Sequence, residues 1–325
     1  MNHADISGWT IRQYASADKF LWDDFLVDAR NATFLFYRDY MDYHADRFKD
    51  ASLLCFREGR LEALLPAHFS EGIFHSHGGL TYGGFIVSRE FTLLHALELW
   101  PAVCRFVVET MGARLLRYAP LPVIYAQYPA QEDLYVLFRL GARLVNRRAA
   151  AVIPLTDALP FGVKRRQKVR KAGRQVLIAR RSDCWDEFWT LLNNNLYDRY
   201  EARPVHTLSE IELLHQRFPN QICFYEARFP DGEMAAGCVI YKTDRVAHAQ
   251  YISSTPRGRS AGAVDFLLDY LIHEECSSMA YFDLGTSADD TPSGLNESLM
   301  YQKEDMGART VIYDTYELDL DKLTL

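Results

Sequence analysis

Apolar residues run through 53–56, break at the turn Arg57-Glu58-Gly59-Arg60, and resume through 61–65, a pattern that predicts strand, tight turn and strand. The design recurs over 222–240, where Pro230-Asp231-Gly232 supplies the turn. Each half also closes alike, with Leu140-Gly141-Ala142-Arg143-Leu144-Val145 in the first and Met306-Gly307-Ala308-Arg309-Thr310-Val311 in the second. Gly59 to Gly141 and Gly232 to Gly307 span nearly the same length of chain. That points to two copies of one unit, each far longer than a solenoid repeat.

Between the landmarks each half follows one order. In the first, Gly83-Gly84-Phe85-Ile86-Val87 leads into a helix over 92–110 and a strand over 114–118; the two glycines let the backbone approach a ligand or a neighbouring strand. In the second, a strand over 247–253 precedes a helix over 261–275 and a strand over 279–284. Strands followed by a helix that crosses back onto the sheet give an α/β unit with a mixed sheet. Residues 161–218 read as mostly helical, with Thr207 capping a helix start. The expected domains are 1–155 and 156–325, joined by this helical connection, and the first is expected to be non-catalytic.

A chain of 325 residues with 49% hydrophobic and 24% charged positions holds enough apolar material for two cores, and disorder is not indicated. The amino terminus lacks a basic stretch followed by an apolar one, and no apolar run approaches the ~20 residues of a membrane span. A cytoplasmic protein without a membrane span is expected. The six cysteines are scattered among apolar neighbours without a C-x-x-C pair, as befits reduced, buried thiols.

The net charge is −7, yet nine of the 36 Lys and Arg fall between Lys164 and Arg181. A helix beginning near Gly162 would put Val169, Ala172 and Val176 on one stripe and cations elsewhere. Arg166 and Arg170, four apart, share a face. Either this is a solvated basic face, or it binds the phosphates of a nucleotide-linked substrate, a coenzyme or RNA. Overall acidity argues against duplex DNA.

The pattern Tyr281-Phe282-Asp283-Leu284-Gly285-Thr286-Ser287, Leu295-Asn296, Gln302-Lys303-Glu304 and Gly307-Ala308-Arg309 resembles the FemAB-like branch of the GNAT acyltransferase superfamily. So do Pro204-Val205-His206-Thr207, Phe218-Pro219 and His248-Ala249-Gln250-Tyr251. The resemblance covers most of the chain and implies tandem GNAT-like domains that transfer an acyl or aminoacyl group to an amine, in cell-envelope or polysaccharide precursor metabolism. The donor it implies is acetyl-CoA or another acyl-CoA. The alternatives are aminoacyl-tRNA and a non-catalytic ligand-binding protein of the same fold. No long heptad stretch matches the helical arm of some FemAB members. The acceptor would be a small-molecule or nucleotide-linked amine, and His206, Asn296, Arg166 and Arg170 are its candidate contacts.

Coenzyme A sites in GNAT proteins use a turn resembling Q/R-x-x-G-x-G/A before a helix. Here Arg257-Gly258-Arg259-Ser260-Ala261-Gly262-Ala263-Val264 occupies that place, with Val264 at the last small position. Arg257, Arg259, Ser260 and Gly262 are the candidate cofactor contacts, unless the small residues serve only close packing. The same turn matches G-x-S-x-G, and His77-Gly78-Gly79 resembles an esterase oxyanion loop. No histidine follows Asp283, however, so an α/β-hydrolase triad lacks its base.

Aligning the two endings sets Lys303 opposite Leu137 and Asp283 roughly opposite Tyr118, polar chemistry where the first half packs. The resemblance implies that Lys303 stabilises the oxyanion formed when the amine attacks; the bland alternative is a surface lysine paired with Glu304 or Asp305. His248, Tyr251 and Asp283 are the candidates for taking the amine's proton. Strict alternation puts His248 and Tyr251 on opposite faces of their strand, so one cleft needs a twist or bulge. His75 and His77 share a face, but no third ligand is evident and no metal is expected. The turn-forming loop over 286–294 has the composition of a lid.

Overall fold

Gly59 and Gly232 both adopt the left-handed conformation, with φ of +80° and +89°, which is what the two tight hairpins require. In the computed structural model, which describes residues 4–6, 8–76, 78–175, 178–289, 291 and 293–323, the chain divides into two units. One runs to Arg147 and resumes at Ile312; the other extends from Arg148 to Val311.

The first unit holds strands β1 (Ala4–Ile6), β2 (Trp9–Gln13), β3 (Leu53–Arg57), β4 (Arg60–Leu65), β5 (His68–Ser70), β6 (Ile73–His75), β7 (Ile86–Val87) and β8 (Leu115–Tyr118), with helices α1 (Lys19–Asp28), α2 (Arg38–Met41), α3 (Leu93–Met111) and α4 (Glu132–Arg139). One sheet has the order β1-β2-β3-β4-β7, and β5-β6-β8 lie side by side in another. Helix α3 starts at Thr92, whose Oγ1 accepts from the His95 N–H, and stops at Gly112 with φ +68°. Its Leu99, Trp100, Val103 and Val107 pack against Trp9, Ile11 and Leu53 in the core.

The second unit holds β9 (Arg143–Pro154, from Arg148 onward), α5 (Val163–Arg174), β10 (Ile178–Arg181), α6 (Trp185–Tyr200), α7 (Leu208–Arg217), β11 (Ile222–Arg228), β12 (Met234–Lys242), β13 (Val246–Ser254), α8 (Pro256–Ala261), α9 (Ala263–Tyr270) with a π-turn over Leu271–Glu275, β14 (Tyr281–Thr286), α10 (Glu297–Glu304) and the start of β15 (Arg309–Asp319). The strand order is β10-β11-β12-β13-β14-β9. All neighbours are antiparallel except β13 and β14, which are parallel. Ala172 of α5 and Leu267, Leu268 and Leu271 pack with Ala247, Ala249, Phe282 and Leu284 on one face. On the other, Phe188 of α6 stacks on Phe224, close enough that a Cβ on Gly237 would collide with both rings.

Both halves of the sequence thus follow one order of hairpin, third strand, helix, strand, short helix and last strand, with the extra pair β5-β6 in the first. The expected domain boundary lay after 155, whereas the two units divide at 147/148, and the chain's end returns to the first unit, because β15 pairs with β8 and Leu318 and Leu320 lie in that unit's core. The connection over 161–218 is mostly helical, with Ile178 to Arg181 as an edge strand on β11. Val176, expected on the apolar stripe of α5, lies outside the described residues, as does His77; His75 stacks on His68 with centroids 4.3 Å apart. Of the cysteines, Cys55, Cys104, Cys223, Cys238 and Cys276 are buried and Cys184 half-buried, all as free thiols.

Tyr118, next to the position matching Asp283, shows what the first unit keeps in this place. Its hydroxyl accepts from the Phe85 N–H and donates to Asp133, 2.7 Å each. Gly84 is glycine for this reason: a Cβ there would sit 2.6 Å from the Tyr118 oxygen. Burial pushes the Asp133 carboxyl up to about 6. Tyr118→Phe should therefore cost roughly 1–3 kcal/mol, the penalty for leaving the buried amide and carboxylate unpaired, read as a lower midpoint in urea denaturation.

Candidate functional site

The parallel pairing of β13 with β14 covers only Val246↔Tyr281, Ala247↔Phe282 and His248↔Asp283. Beyond it β13 continues to Ser254, while β14 pairs on its other side with β9 through Thr286↔Ala150. From Ala249 onward, the β14-facing edge of β13 has no partner strand among the described residues. A bulge lies at this point, since Val239 faces Tyr251 while the next residue, Ile240, faces Ala249. Gln250 is the extra residue, and it reverses the alternation. His248 and Tyr251 consequently share a face, so the bulge removes the conflict that strict alternation poses.

Asp283 is fully buried. Its Oδ2 accepts from His248 Nδ1 at 2.9 Å and its Oδ1 from the Gly285 N–H at 2.7 Å. Gly285 has φ +73°, and a Cβ there would lie 3.4 Å from His248 Cε1. The carboxylate therefore fixes one ring nitrogen of His248 and leaves Nε2 for other chemistry. Lys303 is not a surface residue. It is 9% exposed, and its Nζ donates to the Gly285 and Thr286 carbonyls, 2.9 Å each. Burial pushes its pKa down to about 8, against the opposing pull of the Asp283 charge. Asp305 pairs instead with Arg165.

His206, just ahead of α7, meets Tyr251: Nδ1 lies 2.6 Å and the backbone N 3.4 Å from the phenolic oxygen. Asn296 caps α10, its side chain accepting from the Leu299 N–H at 2.9 Å. Its own N–H donates to the Ser287 carbonyl at 2.7 Å, which closes the base of the 286–294 loop. Asp290 and Pro292 of that loop lie outside the described residues.

The side chains of the proposed cofactor turn make contacts within the protein. Pro256 opens α8 without an N–H, and Thr255 Oγ1 accepts from the Gly258 N–H at 3.0 Å. Arg257 pairs with Asp231 and Glu233 at 2.6 Å each and lies 3.9 Å over the Phe229 ring. Arg259 donates to the Ser254 carbonyl at 2.8 Å, and Ser260 to the Pro256 carbonyl at 3.1 Å, so Ser260 has no place in a hydrolase triad. Gly258 lets α8 press on β12, because a Cβ would lie 1.9 Å from the Ala235 oxygen. Gly262, with φ +80°, ends α8.

On α5 the cations divide. Arg165 turns inward, donating to Asp305 at 3.0 Å, to the Gln302 carbonyl at 2.9 Å and to Asp265. Lys164, Arg166, Lys168, Arg170, Lys171 and Arg174 are exposed, and among the described residues none of the six forms an ion pair. This face belongs to the α9 side of the sheet, whereas Tyr251 packs under Trp189 of α6 on the opposite side. Sequence reasoning missed Arg165 and Asn195; the latter, from α6, donates to Ser253 Oγ at 2.6 Å and the Ser254 carbonyl at 3.0 Å.

In the second unit a parallel strand pair thus parts beside a half-buried imidazole held by a buried carboxylate, and beside a buried ammonium. Residues 163–291 match the family model described as an acetyltransferase (GNAT) domain. No curated protein matches the chain in sequence. Among solved structures the chain is similar to FemX, 11% identical over 96% of this chain and 98% of that one, with a TM-score of 0.70. It is similar also to L-PGS from Bacillus licheniformis, at 12% identity over 82% and 83% with a TM-score of 0.55. A third is a tandem GNAT protein from the clavulanic acid biosynthesis pathway, at 12% over 96% and 98% with a TM-score of 0.52. At such identities the likeness is one of fold. The second unit is a GNAT domain, and the chain has the tandem fold of the FemAB-like branch. No helix among the described residues is long and apolar enough to cross a membrane.

Proposed function

We propose that the protein is an N-acyltransferase that moves an acyl group from an acyl-CoA thioester to an amine acceptor, a small or nucleotide-linked molecule of envelope or polysaccharide precursor metabolism. The observation that carries this reading is the meeting of His248–Asp283 with Lys303 where β13 and β14 part. The amine nitrogen attacks the acyl carbon, and the carbonyl π pair moves onto oxygen, where the Lys303 ammonium stabilises it. His248 Nε2 takes the nitrogen's proton. Collapse re-forms the carbonyl and expels the sulfur with its electron pair.

A second reading, an aminoacyl ester carried on tRNA, is favoured by the closed α8 turn. Arg257, which would meet a pyrophosphate, is already engaged by two carboxylates, whereas six cations of α5 stand exposed. Phosphates of either donor would bind on α5 in the manner of charge-assisted hydrogen bonds.

Calorimetric titration with acetyl-CoA, and separately with unacylated tRNA, distinguishes the two. Saturable binding of acetyl-CoA supports the first reading, binding of tRNA alone transfers the assignment to the second, and binding of neither removes both. For the ligand that binds, Arg166→Glu with Arg170→Glu should raise Kd about tenfold or more and flatten its dependence on salt between ~50 and ~300 mM, a range over which screening changes more than twofold. An unchanged Kd would leave α5 as a solvated face.

A further inference from the structure

Strands β7 and β13 hold matching places, each beside the second strand of its unit's hairpin. One edge of each is bonded to that hairpin, and the other is turned away from it. On β7 the Ser88 N–H donates to the Glu62 carbonyl at 3.0 Å while Ile86 lies opposite Leu64, so Phe85 and Val87 carry the outward groups. All of these are taken. The Phe85 N–H donates to the Tyr118 oxygen at 2.7 Å, and the Phe85 carbonyl accepts from Asn31 Nδ2 at 2.8 Å. The Val87 N–H donates to Asn31 Oδ1 at 2.9 Å, and the Val87 carbonyl accepts from the Arg30 N–H at 3.2 Å. Arg30 and Asn31, which follow α1, thus serve as a substitute strand and leave this edge nothing to offer a ligand.

On β13 the Thr255 N–H donates to the Ala235 carbonyl at 3.1 Å, next to the facing pair Ala236 and Ser254, so Ile252 and Ser254 carry the outward groups. Here only the far end is taken. Asn195 lies on α6, which precedes its hairpin as α1 does, and its Nδ2 donates to the Ser254 carbonyl at 3.0 Å and to Ser253 Oγ at 2.6 Å. Arg259 locks it there: Nη1 donates to the same carbonyl at 2.8 Å and to Asn195 Oδ1 at 3.4 Å. Among the described residues no group is bonded to the N–H or the carbonyl of Ile252. A carboxamide on a strand edge fills the place of a ligand's amide, in full on β7 and at one position on β13.

We propose that Asn195 limits the reach of the acyl donor, so that the second unit takes a donor whose carrier bonds the β13 edge no further than Ile252. This rests on the acyl-transfer reading above. The open edge begins beside the reacting pair, because β13 leaves β14 just after His248 and Asp283. Outward groups recur at every second residue, ~6.6 Å apart, so a chain bonded at Ile252 meets the Asn195 carboxamide one amide further on. The arm of coenzyme A carries two amides in series, and the second needs the place that Asn195 holds.

The donor chemistry follows from that length. An acyl or aminoacyl ester on a ribose oxygen has no arm to lay along the edge and leaves Asn195 undisturbed. A coenzyme A thioester must displace Asn195 and break its bonds to Ser253, Ser254 and Arg259, each worth roughly 2–10-fold in an equilibrium constant. Of the two donors, the short one fits the edge as it stands.

Calorimetry on the full-length chain tests the inference with two probes, coenzyme A and 3′-phosphoadenosine 5′-diphosphate, its nucleotide end without the arm. In the wild type the arm should add nothing, so the two Kd values should agree within about threefold. In Asn195→Ala coenzyme A should bind at least ~10-fold tighter than in the wild type, and the nucleotide end should gain less than about twofold. Alanine is a better helix former than asparagine, so α6 should persist, and Asn195→Ser repeats the measurement should the alanine variant melt early. Wild-type binding of coenzyme A ~10-fold or more tighter than its nucleotide end would overturn the proposal. So would a variant that gains nothing for coenzyme A, or gains equally for both probes. If the wild type binds neither probe, saturable binding of coenzyme A by the variant upholds the role of Asn195 and its absence removes it. These outcomes are separate from the acyl-transfer reading, which falls if acetyl-CoA and tRNA both fail to bind.

Discussion

Lys303→Met is expected to lower kcat by about 10²–10³, the loss found when one preorganised donor to an oxyanion is removed, and to move the melting temperature by only a few degrees. The two expectations come from the same geometry. The ammonium spends donors on the Gly285 and Thr286 carbonyls and has one more to aim at the acyl oxygen. Removing it strands two carbonyls, which costs stability, but it also removes a charge held in a buried position, which returns stability. The pH dependence separates the roles further. The Lys303 pKa is about 8 in the folded chain against ~10.4 unfolded. Transfer should fall above pH 8 as the ammonium is lost, and that limb should vanish from the residual activity of the variant. Stability runs the other way: the penalty of burying the ammonium is fully present below pH 8 and is relieved as pH rises toward 10.4, because there the unfolded chain binds more protons. The wild type should gain stability over that window relative to Lys303→Met. A loss of stability in step with the loss of rate, or an alkaline limb that survives substitution, would make Lys303 structural.

The duplication was legible because its signals are local. Glycines at 59 and 232 close hairpins with positive φ, and glycines at 141 and 307, with φ of +77° and +85°, end a short helix before a long strand in each half. Local apolar spacing likewise placed α3 and the start of α5. What stayed hidden depends on distant partners. Arg165 reads like its basic neighbours, and only Asp265 and Asp305, 100 and 140 residues away, turn it inward. The bulge at Gln250 is set by the register of β12 and leaves no mark in the residues around it. The turn at 257–262 has the small residues of a coenzyme site, but Asp231 and Glu233 on the preceding hairpin decide what Arg257 does. The capping role of Asn296 had a local signal too, an asparagine immediately before a helix, although the pattern was read only for ligand contact.

Asp283→Asn tests the other half of the reaction, and the expected effect is again large, a fall in kcat of about 10²–10⁴. The substitution preserves shape, so the amide oxygen can still accept from the Gly285 N–H now bound at 2.7 Å. What remains toward His248 is an amide nitrogen, which donates where the carboxylate accepted. His248 Nδ1 must then become the acceptor and its proton must move to Nε2, the atom that takes the proton of the attacking amine. A histidine in the wrong tautomer keeps its place and loses its function. The fold should register far less than the rate, since no buried group loses its partner. Asp283→Ala, by contrast, strands the Gly285 N–H and opens a cavity beneath the imidazole, so it should lower the melting temperature as well as the rate. Acyl-transfer kinetics beside thermal melts of the two variants give the answer. If Asp283→Asn keeps wild-type kcat, the amine loses its proton without His248, and the carboxylate serves only to hold the turn at Gly285.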